Sequence, residues 1–203
     1  MTKTRNLLIE TETDRLLLRQ WRAEDLEPFA ALSADSEVME FFPSPLSRPE
    51  SDALAERIRQ SIASRGWGLW AAELRESGEF IGFVGLEEPS PAIPYAPCVE
   101  VGWRLARSFW GRGLATEAAE AALRTGFESL GLAEVFSFTS ILNFRSRAVM
   151  ERLGMVAEPA TFEHPNVPEG HRLREHFAYR LTRAEWNALS GERRSSRLDV
   201  PSR

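Results

Sequence analysis

Two glycines, Gly111 and Gly113, flank an arginine and stand directly before a helical pattern that begins at Leu114. The first amides of a helix have no intrahelical partner, and the helix dipole makes that end partly positive. Glycine lets a ligand approach the backbone without meeting a Cβ atom, and Arg112 adds a full positive charge. These features predict an anion site at the helix N-terminus, most naturally for phosphate. A tight turn between a strand and a helix is the alternative explanation.

Two familiar nucleotide-binding motifs do not fit this glycine pair. A P-loop needs a Gly-Lys dipeptide, and the chain contains none. A dinucleotide-binding fingerprint needs a third glycine where Thr116 stands, and no acidic residue ends a following strand at the required distance. A nicotinamide-dinucleotide enzyme is therefore only a remote alternative, which NAD binding would reveal.

The segments around the glycines have clear periodicities. The stretch Leu114–Leu130 carries an apolar stripe opposite a charged face, which predicts an amphipathic helix packed on a sheet. The stretch from Cys98 to Ala106 alternates and predicts a strand, with Glu100, Gly102 and Arg104 on one side. These two elements would position any chemistry at the glycine loop.

The rest of the chain predicts a mixed α+β fold. A strand at Arg15–Trp21 precedes two helices, and the second of these has a capping box of Ser47 and Glu50 and ends at Gly66. Two hairpin strands, the alternating strand, a helix, a strand, a short helix and two further strands follow. Helices that alternate with strands in the second half exclude a helical bundle and a β-sandwich.

Composition narrows the function further. The 203 residues are 43% hydrophobic and 27% charged, which suits a single domain over residues 1–189 with a disordered tail over residues 190–203. A net charge of −5 disfavours a nucleic-acid partner. No apolar run suits a signal peptide or a membrane span, and the single cysteine, Cys98, fits a cytoplasmic protein without disulfides.

His164, His171 and His176 lack helical ligand spacing, so no metal is expected.

The pieces resemble the GNAT N-acetyltransferases when they are taken in order. The family loop is commonly written [QR]-x-x-G-x-[GA], and Gly113 and Ala115 fill its last two fixed places. Trp110 stands at the Gln/Arg place, a departure familiar in the Rim-type branch, the relatives of ribosomal-protein N-terminal acetyltransferases. The segments TDRLLLRQW, GEFIGFVGL, NFRSRAVMERLGM and EHPNVPEGHRLREHFAYRL are similar to family segments, and the resemblance extends from Thr13 to about Leu189.

This resemblance implies a GNAT fold, with a central, mostly antiparallel sheet, one splayed parallel strand pair and flanking helices. It implies acetyl-CoA as cosubstrate, with backbone amides of the loop on the pyrophosphate and the edge of the strand Glu100–Leu105 on the pantetheine arm. The implied CoA-binding residues are Trp103, Leu105, Trp110, Gly111, Arg112, Gly113, Leu114, Ala115, Thr116, Asn143 and Ser146.

Acetyl transfer to an amine needs a neutral nitrogen. The pKa of a lysine is about 10.4 and that of an α-amine about 8, so removing the proton from an α-amine costs less free energy at neutral pH. Glu100 is the candidate general base and would act through a water. Burying a carboxylate on a strand is unfavourable unless it is paired or has a function. A salt bridge to Arg104 on the same face is the alternative explanation. Cys98 has no neighbouring motif that would activate it as a nucleophile, so direct transfer in a ternary complex is preferred.

The late helix supplies the other catalytic candidates. Asn143 and Ser146 share one face of that helix, and Asn143 is also a good N-cap. Many family members use a tyrosine on this helix to protonate the leaving thiolate, but Met150 stands at that place. The resemblance to the Rim-type branch then implies Ser146 as the acid.

Aromatic residues are candidates for the acceptor pocket. Phe41 and Phe42 fall in a proline-rich loop, where exposed aromatics often bind a ligand, and Trp67 is a third candidate. The acceptor is an amine on a protein or a small molecule, and the sequence leaves room for a homodimer. A CoA-binding module for sensing or assembly, without transferase activity, is the second reading.

Overall fold

The computed structural model describes residues 8–189, so the predicted tail over residues 190–203 lies outside the described residues. In this part of the chain the strands are β1 Thr11–Glu12, β2 Leu16–Arg19, β3 Leu69–Leu74, β4 Phe80–Glu87, β5 Glu100–Leu105, β6 Glu134–Ser140, β7 Val156–Ala157, β8 Phe162–Glu163 and β9 Glu175–Thr182. The α-helices are α1 Leu26–Ala34, α2 Arg48–Arg65, α3 Leu114–Arg124 and α4 Phe144–Arg152. Residues 183–189 are also helical.

The strands form one sheet in the order β1-β2-β3-β4-β5-β6-β9-β7, and β8 also pairs with β9. Only β5 and β6 are parallel among the pairs described. Helix α3 makes the crossover between them, as a parallel pair requires a long connection. The predicted α+β class, with a mostly antiparallel sheet and one parallel pair, is confirmed.

Two layers of helices cover the sheet. Val101 on β5 packs with Leu114 and Leu123 of α3 in one hydrophobic cluster. Phe83 on β4 packs with Phe29 of α1 and Ile58 of α2 in the other cluster. Because side chains alternate along a strand, each residue of β4 and β5 faces one layer or the other. None of the helices among residues 8–189 has the length and apolar character of a membrane span.

Local signals predicted both ends of α2 correctly. Ser47 and Glu50 form the predicted capping box, and Gly66 ends α2 in the left-handed conformation with φ of 86°. The predicted helix over Leu114–Leu130 keeps α-helical geometry only to Arg124 and then continues as a π-turn over Thr125–Ser129. Strand β5 begins at Glu100, two residues later than predicted.

Candidate active site

The glycine loop, Gly111–Gly113, ends at the N-terminus of α3. Gly111 and Gly113 have φ of 72° and 76°, which favours glycine over any other residue. A Cβ on Gly111 would meet nothing within 4 Å, so the outer surface of the loop is open. The amide of Glu117 donates to the Gly113 carbonyl at 3.1 Å, and the earlier amides of α3 have no intrahelical acceptor. The loop therefore has the donors and the open approach that an anion needs.

Arg15, the residue before β2, holds this loop against the first turn of α3. The Arg15 guanidinium donates to Glu117 Oε2 at 2.6 Å and to the Arg112 carbonyl at 3.0 Å. Burial alone would raise the pKa of Glu117, but hydrogen bonds from Thr13 and Arg15 hold it below its ordinary value. Arg112 itself is exposed and lies over the Phe109 ring at 5.6 Å. Arg15 is about a hundred residues from the loop in sequence, so no local pattern predicts its role.

Trp110 joins the loop to two other elements. Its indole N–H donates to the carbonyl of Leu105, the last residue of β5, at 2.8 Å. Its ring lies 4.6 Å from the guanidinium carbon of Arg145 on α4, a cation–π contact. A tryptophan at this place therefore holds the end of β5, the loop and α4 together.

Strands β5 and β6 part almost as soon as they meet. Their ladder has one register pair, Glu100 opposite Phe136, whereas β4 and β5 share six. The Ser137 hydroxyl then donates to the Val101 carbonyl at 2.9 Å, where a backbone bond would otherwise continue the ladder. By strand alternation, Trp103 is the next residue whose backbone N–H and C=O face the space between the strands. We call this space the β5–β6 gap; it leads toward the glycine loop.

Two carboxylates face each other beside the mouth of this gap. Glu87 on β4 is the register partner of Glu100 on β5. Both line a cavity of about 200 Å³, the carboxylate cavity, which is also lined by Ser90, Ile93, His164 and Asn166. The sequence did not single out Glu87, His164 or Asn166 as site residues.

The pKa values of both carboxyl groups are raised. Burial raises the pKa of Glu100 well above its ordinary value, the neighbouring Glu87 raises it further, and the amide of Phe138 only partly opposes this. Burial likewise raises the pKa of Glu87, against the attraction of Arg104 and Arg65. Like charges in a partly buried site cannot both ionise easily, so this pair holds a proton at a pH where exposed glutamates have lost theirs.

Arg104 does not form the salt bridge to Glu100 that was the alternative role for that carboxylate. Its guanidinium carbon lies 4.2 Å from the Phe42 ring centroid and 5.3 Å from that of Phe83. Its Nε and Nη1 atoms are buried and have no hydrogen-bond partner in the described structure. Burial lowers the pKa of Arg104 to about 10, and Glu87 only partly offsets this.

An aromatic wall flanks the carboxylate cavity on the β6 side. Tyr95 lies 5.7 Å from Phe138 and 5.6 Å from Phe162, between ring centroids. His164 and His176 lie against Phe162, with their own ring centroids 4.6 Å apart. His176 is buried, as expected for a residue packed within the sheet, and burial lowers its pKa to about 4. Residues 8–189 contain no group of three or more His, Cys, Asp or Glu suited to a metal ion.

Asn143 caps α4 as the sequence indicates. Its Oδ1 accepts from the Ser146 amide and its Nδ2 donates to Ser146 Oγ, both at 3.1 Å. Since Ser146 Oγ is the acceptor in that bond, its own O–H is left to donate to something else. Met150 is 1% exposed and belongs to the core.

The three predicted acceptor-pocket aromatics lie in different places. Phe42 is 38% exposed and stacks on Arg104. Phe41 lines a second cavity of about 370 Å³, which it shares with Phe144, Arg145 and Arg172. Trp67 packs against the core under the Arg65 guanidinium and does not line the carboxylate cavity.

Known proteins resemble this chain in both sequence and fold. Residues 15–156 match the acetyltransferase (GNAT) domain. The FsC-acetyl coenzyme A-N(2)-transacetylase of Aspergillus fumigatus is 33% identical over 86% of this chain and 76% of its own length. YnaD of Bacillus subtilis, named an uncharacterized N-acetyltransferase, is 26% identical over 86% and 98%. The crystal structure of an acetyltransferase from Agrobacterium tumefaciens superposes with a TM-score of 0.70 and 28% identity, over 86% of this chain and 94% of that one. The chain belongs to the GNAT acetyltransferase family, whose members use acetyl-CoA.

Proposed function

We propose that this protein is an acetyl-CoA-dependent N-acetyltransferase of the Rim type, which transfers acetyl directly to an amine in a ternary complex. The acceptor is a protein N-terminal α-amine or a small-molecule amine. The observation that carries the proposal is the β5–β6 gap, which begins at the Glu87–Glu100 pair and leads to the glycine loop. The name of the Aspergillus relative contains acetyl coenzyme A and an N(2) position, which supports an amine acceptor.

The residues present fit CoA as a cosubstrate. The open glycine loop and the first amides of α3, from Gly111 to Thr116, suit a pyrophosphate, and Arg112 adds charge. Trp103 offers its backbone in the gap as a partner for the amides of the pantetheine arm. The Leu105 carbonyl accepts the Trp110 indole N–H, so Leu105 contributes through its own backbone N–H.

The carboxylate pair suits proton removal from an amine. The N–C bond forms as the thioester C–S bond breaks, the amine proton passes through a water to Glu100, and sulfur leaves with a proton donated by Ser146. Solvent then returns the proton from Glu100 to Ser146. A base works best when its pKa lies near the working pH, and Glu87 and burial move Glu100 in that direction. Burial raises the pKa of Cys98 to about 11, with Glu100 and Glu134 adding to the effect, so its thiolate is disfavoured and direct transfer is preferred.

Thiol release from acetyl-CoA across a broad amine panel tests the proposal. We expect turnover with at least one amine class, and loss of turnover in Glu100→Gln with CoA affinity retained. Tight CoA binding without turnover on any amine would indicate the second reading, a CoA-binding module for sensing or assembly. Thermal stabilisation by NAD, and none by CoA, would contradict both.

A further inference from the structure

Arg104 is a buried cation whose Nε and Nη1 atoms have no hydrogen-bond partner in the described part of the chain. The residue is 9% exposed, and among the unpartnered buried polar side-chain atoms of residues 8–189 only its Nε and Nη1 belong to a charged group. The contacts with the Phe42 and Phe83 rings attract the cation but satisfy none of its N–H donors. Burying an unpaired guanidinium is unfavourable, so a fold that retains one has a use for it.

The surroundings of Arg104 show what it faces. The register of β4 and β5 places Phe83 opposite Arg104, Gly85 opposite Gly102 and Glu87 opposite Glu100. These residues lie on the face covered by α1 and α2, because Phe83 packs there. The face thus has a cation at one end and two carboxylates at the other. Four residues of extended strand, from Glu100 to Arg104, span about 13 Å.

A glycine lies at the midpoint of the face. A Cβ on Gly102 would meet only Glu87 Oε1, at 4.0 Å, so the Glu87 carboxylate reaches toward the midpoint and no other side chain lies against it. Glu87 and Arg104 form no direct ion pair in the described structure, although each shifts the pKa of the other. A ligand with opposite charges at its two ends would complete both groups.

We propose that the amine acceptor carries a carboxylate, which Arg104 binds while the amine lies at Glu87 and Glu100. This inference rests on the proposed function and names its acceptor class. The planar fork of an arginine matches a carboxylate, and charge-assisted hydrogen bonds are stronger than neutral ones. A single negative charge is favoured over a phosphate dianion, since two carboxylates share the face. The carboxylate belongs either to a free amino acid or to an acidic residue beside a peptide N-terminus.

Matched acceptor pairs test the inference. The panel is glycine, β-alanine, 4-aminobutyrate and 5-aminopentanoate, each beside its primary amide, with two tripeptides that carry Asp or Asn at the second residue. Rates are compared at equal concentration of the neutral amine, since the amide changes the amine pKa. We expect the wild type to prefer at least one acid over its amide by about 10- to 100-fold in kcat/KM. Which pair shows the preference distinguishes a free amino acid from a peptide.

The variant Arg104→Met should remove this preference by lowering kcat/KM for the acid much more than for the amide, while Arg104→Lys should keep part of the preference. The melting temperature of Arg104→Met should equal or exceed that of the wild type, because an unpaired buried charge is replaced by an apolar chain of similar length. Equal wild-type rates on every acid and amide would overturn the inference. So would equal loss on both in Arg104→Met, a fall in its melting temperature, or tenfold weaker CoA binding.

This test separates the inference from the proposed function. If the amino acids and their primary amides are acetylated equally well, the carboxylate assignment is wrong and the proposed function stands. Absence of turnover on every amine of the panel, with CoA bound, would end the proposed function.

Discussion

Two buried arginines lie on different strands of the same sheet, and their donors are satisfied to very different extents. Arg19 on β2 is 3% exposed and donates to both oxygens of Asp25, at 2.7 and 2.8 Å, and to Glu73 at 2.6 Å. Arg104 on β5 is nearly as buried, but its guanidinium lies against aromatic rings, and its Nε and Nη1 atoms have no hydrogen-bond partner in the described structure. A residue type and its burial therefore do not reveal its role; the role follows from whether its donors are satisfied.

The region around Arg19 stabilises the fold, whereas the region around Arg104 has the unpaired groups expected of a ligand site. The Arg19 network joins β2, β3 and the turn before α1, and its charges are paired within the protein. The face around Arg104, Glu87 and Glu100 gathers buried charges that the protein compensates only in part. Sites of this kind commonly trade stability for function.

The largest effect is expected from Arg19→Met. The change leaves Asp25 and Glu73 buried without their shared cation, which should destabilise the fold by about 3–5 kcal/mol. For a chain of this size each kcal/mol lowers the melting temperature by about 2–4 °C, which calorimetry can measure. Arg104→Met is the matched control. A melting temperature of Arg19→Met equal to that of the wild type would erase the comparison between the two arginines.

Next comes the glycine loop, for which the chain offers a matched control. Gly111 and Gly78 both have positive φ, 72° and 70°, and a Cβ on either would meet nothing within 4 Å. Valine at either position should cost about 1–2 kcal/mol of stability through backbone strain. Only Gly111→Val should also weaken CoA binding, by about tenfold or more in calorimetric titration. Similar CoA affinity in both variants would contradict the pyrophosphate assignment.

A third effect concerns the carboxylate pair. Glu87→Gln removes a negative neighbour of Glu100, which stabilises the ionised form of Glu100 and lowers its pKa. The acidic limb of the profile of kcat/KM against pH should therefore move to lower pH. Glu79→Gln, just before the start of β4, should leave the profile where it is. An unmoved acidic limb in Glu87→Gln would mean that Glu100 does not control the rate.

The smallest effect is expected from Trp110→Phe. The change removes one neutral hydrogen bond, from the indole to the Leu105 carbonyl, worth about 1 kcal/mol. We expect a small fall in melting temperature and a few-fold rise in the KM for acetyl-CoA, since the loop is less firmly held. An unchanged KM would limit Trp110 to a role in stability.

Much of this organisation follows from short-range sequence signals. The capping box of α2, the cap of α4 by Asn143 and the glycine loop before α3 depend on residues within a few positions of one another. Residues 98–106 alternate, so Glu100, Gly102 and Arg104 could be assigned to one face. The fold class and the family followed from the order of these elements.

Contacts between distant segments could not be predicted in this way. The β4–β5 connection spans residues 88–99 and contains four prolines, so its length does not determine the strand register. The sequence therefore could not show that Glu87 lies opposite Glu100, or that Arg104 forms no salt bridge with Glu100. Likewise, nothing near Gly113 indicated that Arg15 and Glu117 hold the loop.

Transfer of a labelled acetyl group tests the central claim most directly. Acetyl-CoA labelled with ¹³C at the carbonyl is incubated with the protein and the matched acids and amides, and the products are followed by NMR. The account predicts a labelled amide carbon on the acceptor nitrogen, formed faster with a carboxylate-bearing amine and lost in Glu100→Gln. Label that stays in the thioester, or appears only as free acetate with every amine, would contradict it.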